Sequence, residues 1–209
     1  KEITYDEMLE MSSTGARVLM ARSVEFGRRY NVPIIVKPTF SEGVGTTVKE
    51  KVMEQAIVSG VTHNDKEIKF TLFGVPDQPG IAGSVFGYLS DKGVNVDMIV
   101  QNVSKDSKTD ISFTAPEEQQ DEVMNILSNL TNDLKAEGSN KDENIARVSI
   151  IGAGMKSESG VASKMFKTLG SHKINIGMIS TSPIRISCVI SKNDMQKAIE
   201  VLHDEFIIE

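Results

Sequence analysis

Apolar and polar residues alternate from Lys69 to Val75, with Phe70 and Leu72 on one side, which predicts a strand. The spacing then becomes helical. Ile81, Val85, Phe86 and Leu89 form an inner face behind Pro79-Gly80, and Lys92-Gly93 supplies a basic last turn and a left-handed glycine end. Strands are predicted over Val94–Val103 and Thr109–Thr114, joined by a polar turn at Ser104–Lys108. Pro116 opens a second helix with Val123, Met124, Leu127 and Leu130 inward. The same order of periods returns further along, with strands at Ala146–Gly152, Ile174–Ser180 and Ile184–Ile190 and a last helix from about Asn193 to Phe206.

The second run copies the first. Gly74 and Gly152 stand 78 positions apart. After two extra residues in the following loop, Gly80 matches Gly160, Phe86 matches Phe166, Leu89 matches Leu169 and Asn95 matches Asn175, each 80 apart. Register kept on both sides of a two-residue indel points to duplication. Two copies are too few for a solenoid, so the pattern predicts paired α+β modules. Each copy runs strand, helix, strand, strand, helix and needs one more strand to complete a four-stranded sheet. The first can take it from 134–142. The unclaimed strand Gln55–Val61 is expected to close the second, which would insert the first module into the second.

Residues 1–48 lie outside the repeat. Thr4 followed by Glu7 has capping-box spacing, and Met8 and Leu9 open an amphipathic helix behind it. A second helical stretch, about Ser23 to Tyr30, runs into the short buried strand Pro33–Val36, and Ser41–Gly45 reads as a surface loop. This is too little apolar surface to fold alone and reads as the end of another domain.

Composition narrows the partners. A chain of 209 residues holds one large domain or two small ones. Its net charge of −6, with no lysine or arginine run, argues against nucleic acid and anionic membrane. The single cysteine, Cys188, sits in the apolar run Ile186–Ile190, which excludes an intramolecular disulfide and suggests a buried thiol in a reducing cytoplasm. No apolar stretch approaches the roughly 18 residues of a membrane span. His63, His172 and His203 have no ligand spacing, so no metal site is expected. Gly152-Ala-Gly154 is a weak dinucleotide signal that lacks its third glycine.

A β-α-β-β-α-β unit whose first strand leads into Asp77-Gln-Pro-Gly80 resembles the ACT domain, a regulatory module that binds small molecules. The run from Gly74-Val-Pro-Asp-Gln-Pro-Gly80 through Asn95-Val-Asp-Met-Ile-Val-Gln-Asn-Val-Ser104 to Thr109-Asp-Ile-Ser-Phe113 resembles aspartate kinase. So do Gly152-Ala-Gly-Met155, Ser159-Gly-Val161, Asn175-Ile176 and Ile179-Ser-Thr-Ser-Pro-Ile-Arg-Ile-Ser187. Ile3-Thr-Tyr-Asp-Glu-Met8, Arg22-Ser-Val-Glu25 and Tyr30-Asn-Val-Pro33 are similar to the end of that family's kinase domain.

The resemblance implies two ferredoxin-like βαββαβ ACT modules behind a kinase-domain remnant at 1–50, the first over 64–142 and the second over 51–63 plus 143–209. The chain departs from the family in lacking its K-F-G-G-T-S-type motif. Catalysis by this chain alone is therefore not expected, and ATP and magnesium would belong to the kinase lobe, leaving no cofactor here. Met20-Ala21 stands where the family has His-Pro, and Pro183 replaces its usual glutamate. The function implied is feedback inhibition of the first step toward lysine, threonine and methionine, with L-threonine, L-lysine or both as effectors. The partners implied are a second copy, paired through ACT modules, and the catalytic α subunit. A separate small subunit begun inside the kinase gene fits such a chain better than a truncation of the longer enzyme.

Physical chemistry assigns roles to the motif. Backbone N–H groups behind Pro79-Gly80 suit an amino-acid carboxylate, favoured by the helix dipole. Asp77 and Asp97 suit the ammonium, and Gln101, four residues along from Asp97, suits a side-chain hydroxyl or amine. The resemblance extends the first module's set to Asp77, Gly80, Ile81, Ala82, Asn95, Asp97, Gln101 and Ser112. It gives the second module Val161, Ala162, Asn175, Ile176, Thr181 and Ser182. Gly177 replaces Asp97 in the second copy, so the two pockets are expected to differ. Against this stands a plainer reading, in which Asp77, Asn95 and Asn175 are turn residues and the ACT sheets only pair kinase subunits as a scaffold.

Overall fold

The computed structural model describes residues 1–52, 56–103 and 107–207. In chain order they form β1 (Glu2–Thr4), α1 (Tyr5–Ser13), α2 (Ala21–Arg29), β2 (Ile34–Val36), β3 (Thr46–Lys49) and β4 (Gly60–Asn64). There follow β5 (Glu67–Pro76), α3 (Ile81–Asp91), β6 (Ile99–Val103), β7 (Lys108–Pro116), α4 (Gln120–Asp133) and β8 (Gly138–Asp142). The last set is β9 (Ile145–Ile151), α5 (Val161–Ser171), β10 (Met178–Ser182), β11 (Arg185–Ser191) and α6 (Met195–Phe206). The chain divides into two compact units, one from Asp65–Ala146 and the other from the described residues on either side.

In the 65–146 unit an antiparallel sheet in the order β6-β7-β5-β8 carries α3 and α4 on one face. Ile68, Phe70 and Leu72 of β5 and Ile111, Phe113 and Ala115 of β7 alternate toward the helices. Val85 and Leu89 of α3 and Val123, Ile126, Leu127 and Leu130 of α4 close over them. Ile126 joins the expected inward set, while Met124 is only half-buried.

The other unit repeats the plan with a strand order of β10-β11-β9-β4. Here β4 lies antiparallel to β9, with Gly60 opposite Ile151 and Asn64 opposite Arg147, in the place that β8 holds beside β5. The closing strand was expected at Gln55–Val61 and is found at Gly60–Asn64. Residues 53–55 lie outside the described set, and from Ala56 to Val58 the backbone is committed elsewhere, crossing closely over Gly152 and Gly154. A Cβ at Gly152 would stand 2.1 Å from Ile57 O, and one at Gly154 would stand 2.7 Å from Ala56 O. That crossing, rather than a dinucleotide, accounts for both glycines.

The strands after the first helices are shorter than expected. β6 starts at Ile99 rather than Val94, and β10 at Met178 rather than Ile174. In the intervening stretches Val94 N–H donates to Leu89 O and Ile174 N–H to Leu169 O, so these residues first close the helix ends. The turn expected at Ser104–Lys108 falls partly outside the described residues.

At the front, β1, β3 and β2 form a three-stranded sheet in that order, β1 parallel and β2 antiparallel to β3. The sequence pattern predicted only β2. Ile3, Tyr5, Met8, Val24 and Val48 make a small core there. Thr4 caps α1 with the full reciprocal box, its hydroxyl accepting from Glu7 N–H while the Glu7 carboxylate accepts from Thr4 N–H.

Candidate functional site

The duplication places two alike helix entrances in the chain. Gly80 and Gly160 are the N-caps of α3 and α5, with φ of 93° and 89°. No side chain caps either helix. The first intrahelical bonds run from Ser84 N–H to Gly80 O and from Lys164 N–H to Gly160 O. Uncapped first-turn amides, with the helix dipole behind them, favour an anion.

At the α5 entrance a groove of about 470 Å³ opens in front of these amides. Gly160, Val161 and Ala162 form one side. Thr181, Ser182 and Pro183 form the other, with Met155 and Ile186 as apolar lining. Thr181 and Ser182 arrive there because β10 and β11 pair as a hairpin, Thr181 opposite Ile186 and Ser182 opposite Arg185. Pro183 and Ile184 make its two-residue turn. Ser182 Oγ accepts from Ile184 N–H at 3.3 Å, which braces the turn.

Of the residues expected in the second module, Val161, Ala162, Thr181 and Ser182 line this groove together. Asn175 is exposed and Ile176 is half-buried against the module core, and neither lines it. Lys156 and Glu158 line the groove and add charges of both signs. They fall in the two-residue-longer loop of the second copy, where alignment to the first gives no counterpart. A second cavity, about 500 Å³, shares Lys156, Ser182 and Pro183 and is bounded by Asp6, Leu9, Glu10 and Ser13 of α1.

In the 65–146 unit Asp77, Gly80, Asn95, Asp97 and Gln101 are exposed, while Ile81, Ala82 and Ser112 are half-buried. Ile81 N–H donates to Gln78 O at 3.2 Å and Asp77 N–H to Ser107 O at 2.8 Å. Asn95 N–H faces Gln119 Oε1 at 3.4 Å, and Gln119 Nε2 donates to Gly93 O, so the chain leaving α3 is pinned to the start of α4. Gln101 pairs with Ile111 and Val100 with Ser112. Ser112 therefore shares a sheet face with Val100 and Thr71, opposite the face of Ile99 and Gln101. Its hydroxyl lies 2.9 Å from that of Thr71. Ser149 and Ser187, equally placed on β9 and β11, repeat the contact at 2.7 Å.

Residues 69–132 and 148–206 each match the ACT domain family. An aspartate kinase of Pseudomonas fluorescens is 46% identical over all of this chain and 51% of its own length. The regulatory subunit of aspartate kinase from Thermus thermophilus is 36% identical with a TM-score of 0.68, over 72% of this chain and 99% of that one. A solved aspartokinase with alpha and beta subunits is 38% identical, also at 0.68, over 72% and 99%. The chain belongs to the aspartate kinase family. It spans about half the length of the curated aspartate kinases it matches and aligns along almost the whole of a separate regulatory subunit. What these residues carry is the tandem ACT regulatory region of aspartate kinase. Among the described residues no helix is long and apolar enough to cross a membrane.

One residue of this regulatory region escaped sequence reasoning except as a cap. Glu7 is 3% exposed. Its Oε2 accepts from Thr4 N–H and hydroxyl, and its Oε1 accepts from Ser59 Oγ at 2.5 Å and from Ala153 N–H at 2.8 Å. Burial pushes this carboxyl up, but the bonds from Ser59, Thr4 and Ala153 together outweigh burial and hold it below its ordinary value. Capping-box spacing identifies one oxygen; nothing local announces a partner 146 positions away.

Proposed function

We propose that this region senses end-product amino acids for aspartate kinase, with L-threonine, L-lysine or both as feedback effectors. The groove at the α5 entrance carries the reading. It sets uncapped amides for a carboxylate against Thr181 and Ser182 hydroxyls, in a volume suited to a free amino acid. The α3 entrance keeps the next first-turn amides, Ile81 N–H being engaged by Gln78 O, and is read together with Asp77, Asp97 and Gln101 as the first module's effector site. Ser112 belongs to that site through the family resemblance.

Residues 1–50 are read as the end of the kinase domain, and the first ACT module as inserted into the second. The partners are a second copy, paired through ACT modules, and the catalytic α subunit, in the cytoplasm.

The test is the melting temperature against a panel of free amino acids, with threonine and lysine singly and together. Ligand at a hundredfold above its dissociation constant adds about 2.7 kcal/mol, a shift of several degrees. A selective shift establishes the sensor. No shift with any amino acid, in the intact enzyme as well, leaves the ACT modules as a scaffold that pairs subunits.

A further inference from the structure

Helix α1 holds both walls of the groove at the α5 entrance. One wall is the tight turn Ala153–Lys156, which leads through 157–159 to Gly160. The other is the hairpin turn at Ser182–Arg185. The walls meet at their base, where Gly152 N–H donates to Ile184 O at 3.0 Å. Above that joint each is tied to α1 by a carboxylate. Glu7 takes Ala153 N–H on the first wall, and Glu10 Oε2 takes Arg185 Nη1 at 3.0 Å on the second.

Positions 7 and 10 are three apart and so share one face of the helix. Neither tie is a loose surface pair. Glu7 is buried, and the Arg185 and Glu10 side chains are 17% and 25% exposed. A cavity of about 500 Å³ lies between α1 and the second wall, and the Glu10–Arg185 pair ties the two elements beside it.

We propose that α1 is the element that transmits occupancy of this groove, resting on its reading as an effector site. A ligand that draws Gly160–Ala162 toward Thr181–Ser182 rotates the walls about the Gly152–Ile184 joint and changes the spacing of Ala153 and Arg185. Glu7 and Glu10 pass that change to α1. From there it reaches the front sheet, because Ile3, Tyr5 and Met8 share a core with Val48 of β3. A buried hydrogen-bonded carboxylate moves with its donors because leaving them unpaired is the costlier course. Coupling of this kind is reciprocal, so the position of α1 also sets the affinity of the groove.

The test is hydrogen exchange on the intact protein, with and without L-threonine and, separately, L-lysine, read at the α5 first turn and along α1. In the unaltered protein both segments are expected to slow several-fold with an effector. Glu10→Arg is expected to keep the α5 response and to weaken that of α1 several-fold, the Glu7 tie remaining. Glu10→Arg combined with Arg185→Glu restores the pair with its charges exchanged, and is expected to recover the α1 response. An α1 response unchanged in Glu10→Arg, or not recovered in the double variant, overturns the proposal. So does an α5 response without an α1 response in the unaltered protein, an outcome that leaves the effector site standing. Silence at α5 with both amino acids removes the effector site and the proposal together.

Discussion

Gly80 and Gly160 stand 80 positions apart and hold almost the same left-handed backbone, φ 93° and 89°, each as the cap of its module's first helix. Nothing lies within 4 Å of the place a Cβ would occupy at either residue. The backbone angle, not crowding, therefore demands glycine. Alanine at either position is expected to destabilise by about 1–2 kcal/mol, the penalty of a left-handed conformation for a residue with a side chain. Urea denaturation of Gly80→Ala and Gly160→Ala checks this, and losses of similar size are expected because the surroundings are equally open.

Lys173 offers the reverse experiment. It sits 80 positions after Gly93, and both lie just past a helix end with positive φ, 63° for the lysine and 71° for the glycine. Lys173 N–H donates to Gly170 O and Gly93 N–H to Ser90 O, each at 2.9 Å, so the two helix ends are built alike. Lys173→Gly relieves the strained angle but adds freedom to the unfolded chain. The net is expected to be a gain of up to about 1 kcal/mol, seen as a raised urea midpoint.

Glu7 gives the fold an acid-sensitive joint. Its carboxyl is held below the ordinary 4.5 in the folded chain, so between the two values the unfolded chain binds more protons. Stability from Glu7 is thus fully present above about pH 4.5 and falls as the pH drops through the lowered folded value. Glu7→Gln cannot accept at both ends and is expected to lose about 1.5–3 kcal/mol at neutral pH, the range for hydrogen bonds to a charged group. Denaturation midpoints of both proteins against pH check the sign: their difference is flat near neutrality and narrows on acidification.

Cys188 is fully buried in the core of its module, and burial pushes its thiol up to about 12. It is expected to resist thiol reagents at neutral pH until the unit opens. Labelling by a chromogenic disulfide should therefore follow global unfolding, and a fast phase in the native protein would contradict this.

The fold was largely legible because its signals are local and occur twice. Periodicity located Phe70, Leu72, Val85 and Leu89, and the duplication fixed their counterparts. The burial pattern over 91–100 is repeated residue for residue over 171–180. The front sheet was hidden because β1 and β3 are three and four residues long and pair across more than forty positions. Strands that short carry no period. The groove was half legible: Val161, Ala162, Thr181 and Ser182 follow from the family resemblance, whereas Lys156 and Glu158 sit in the loop where the copies differ. The bond from Ala153 to Glu7 depends on tertiary placement alone.

The difference between the copies at Asp97 and Gly177 yields the sharpest expectation. Both positions are exposed, one residue before a buried methionine, Met98 or Met178. A carboxylate at 97 and none at 177 predicts unequal affinity for an amino-acid ammonium, since a hydrogen bond to a charged group contributes about 1.5–3 kcal/mol. Asp97→Asn is expected to weaken the tighter binding phase by about tenfold or more without unfolding the ligand-free protein. Gly177 has no positive φ, and a Cβ there would meet only Val189 O, at an ordinary 3.6 Å. Gly177→Asp is therefore sterically tolerated, and it tests whether a carboxylate at this position, outside the lining of the α5 groove, adds affinity in the second module. Calorimetric titration with threonine and with lysine checks both variants, and an unchanged isotherm for Asp97→Asn removes Asp97 from the effector site.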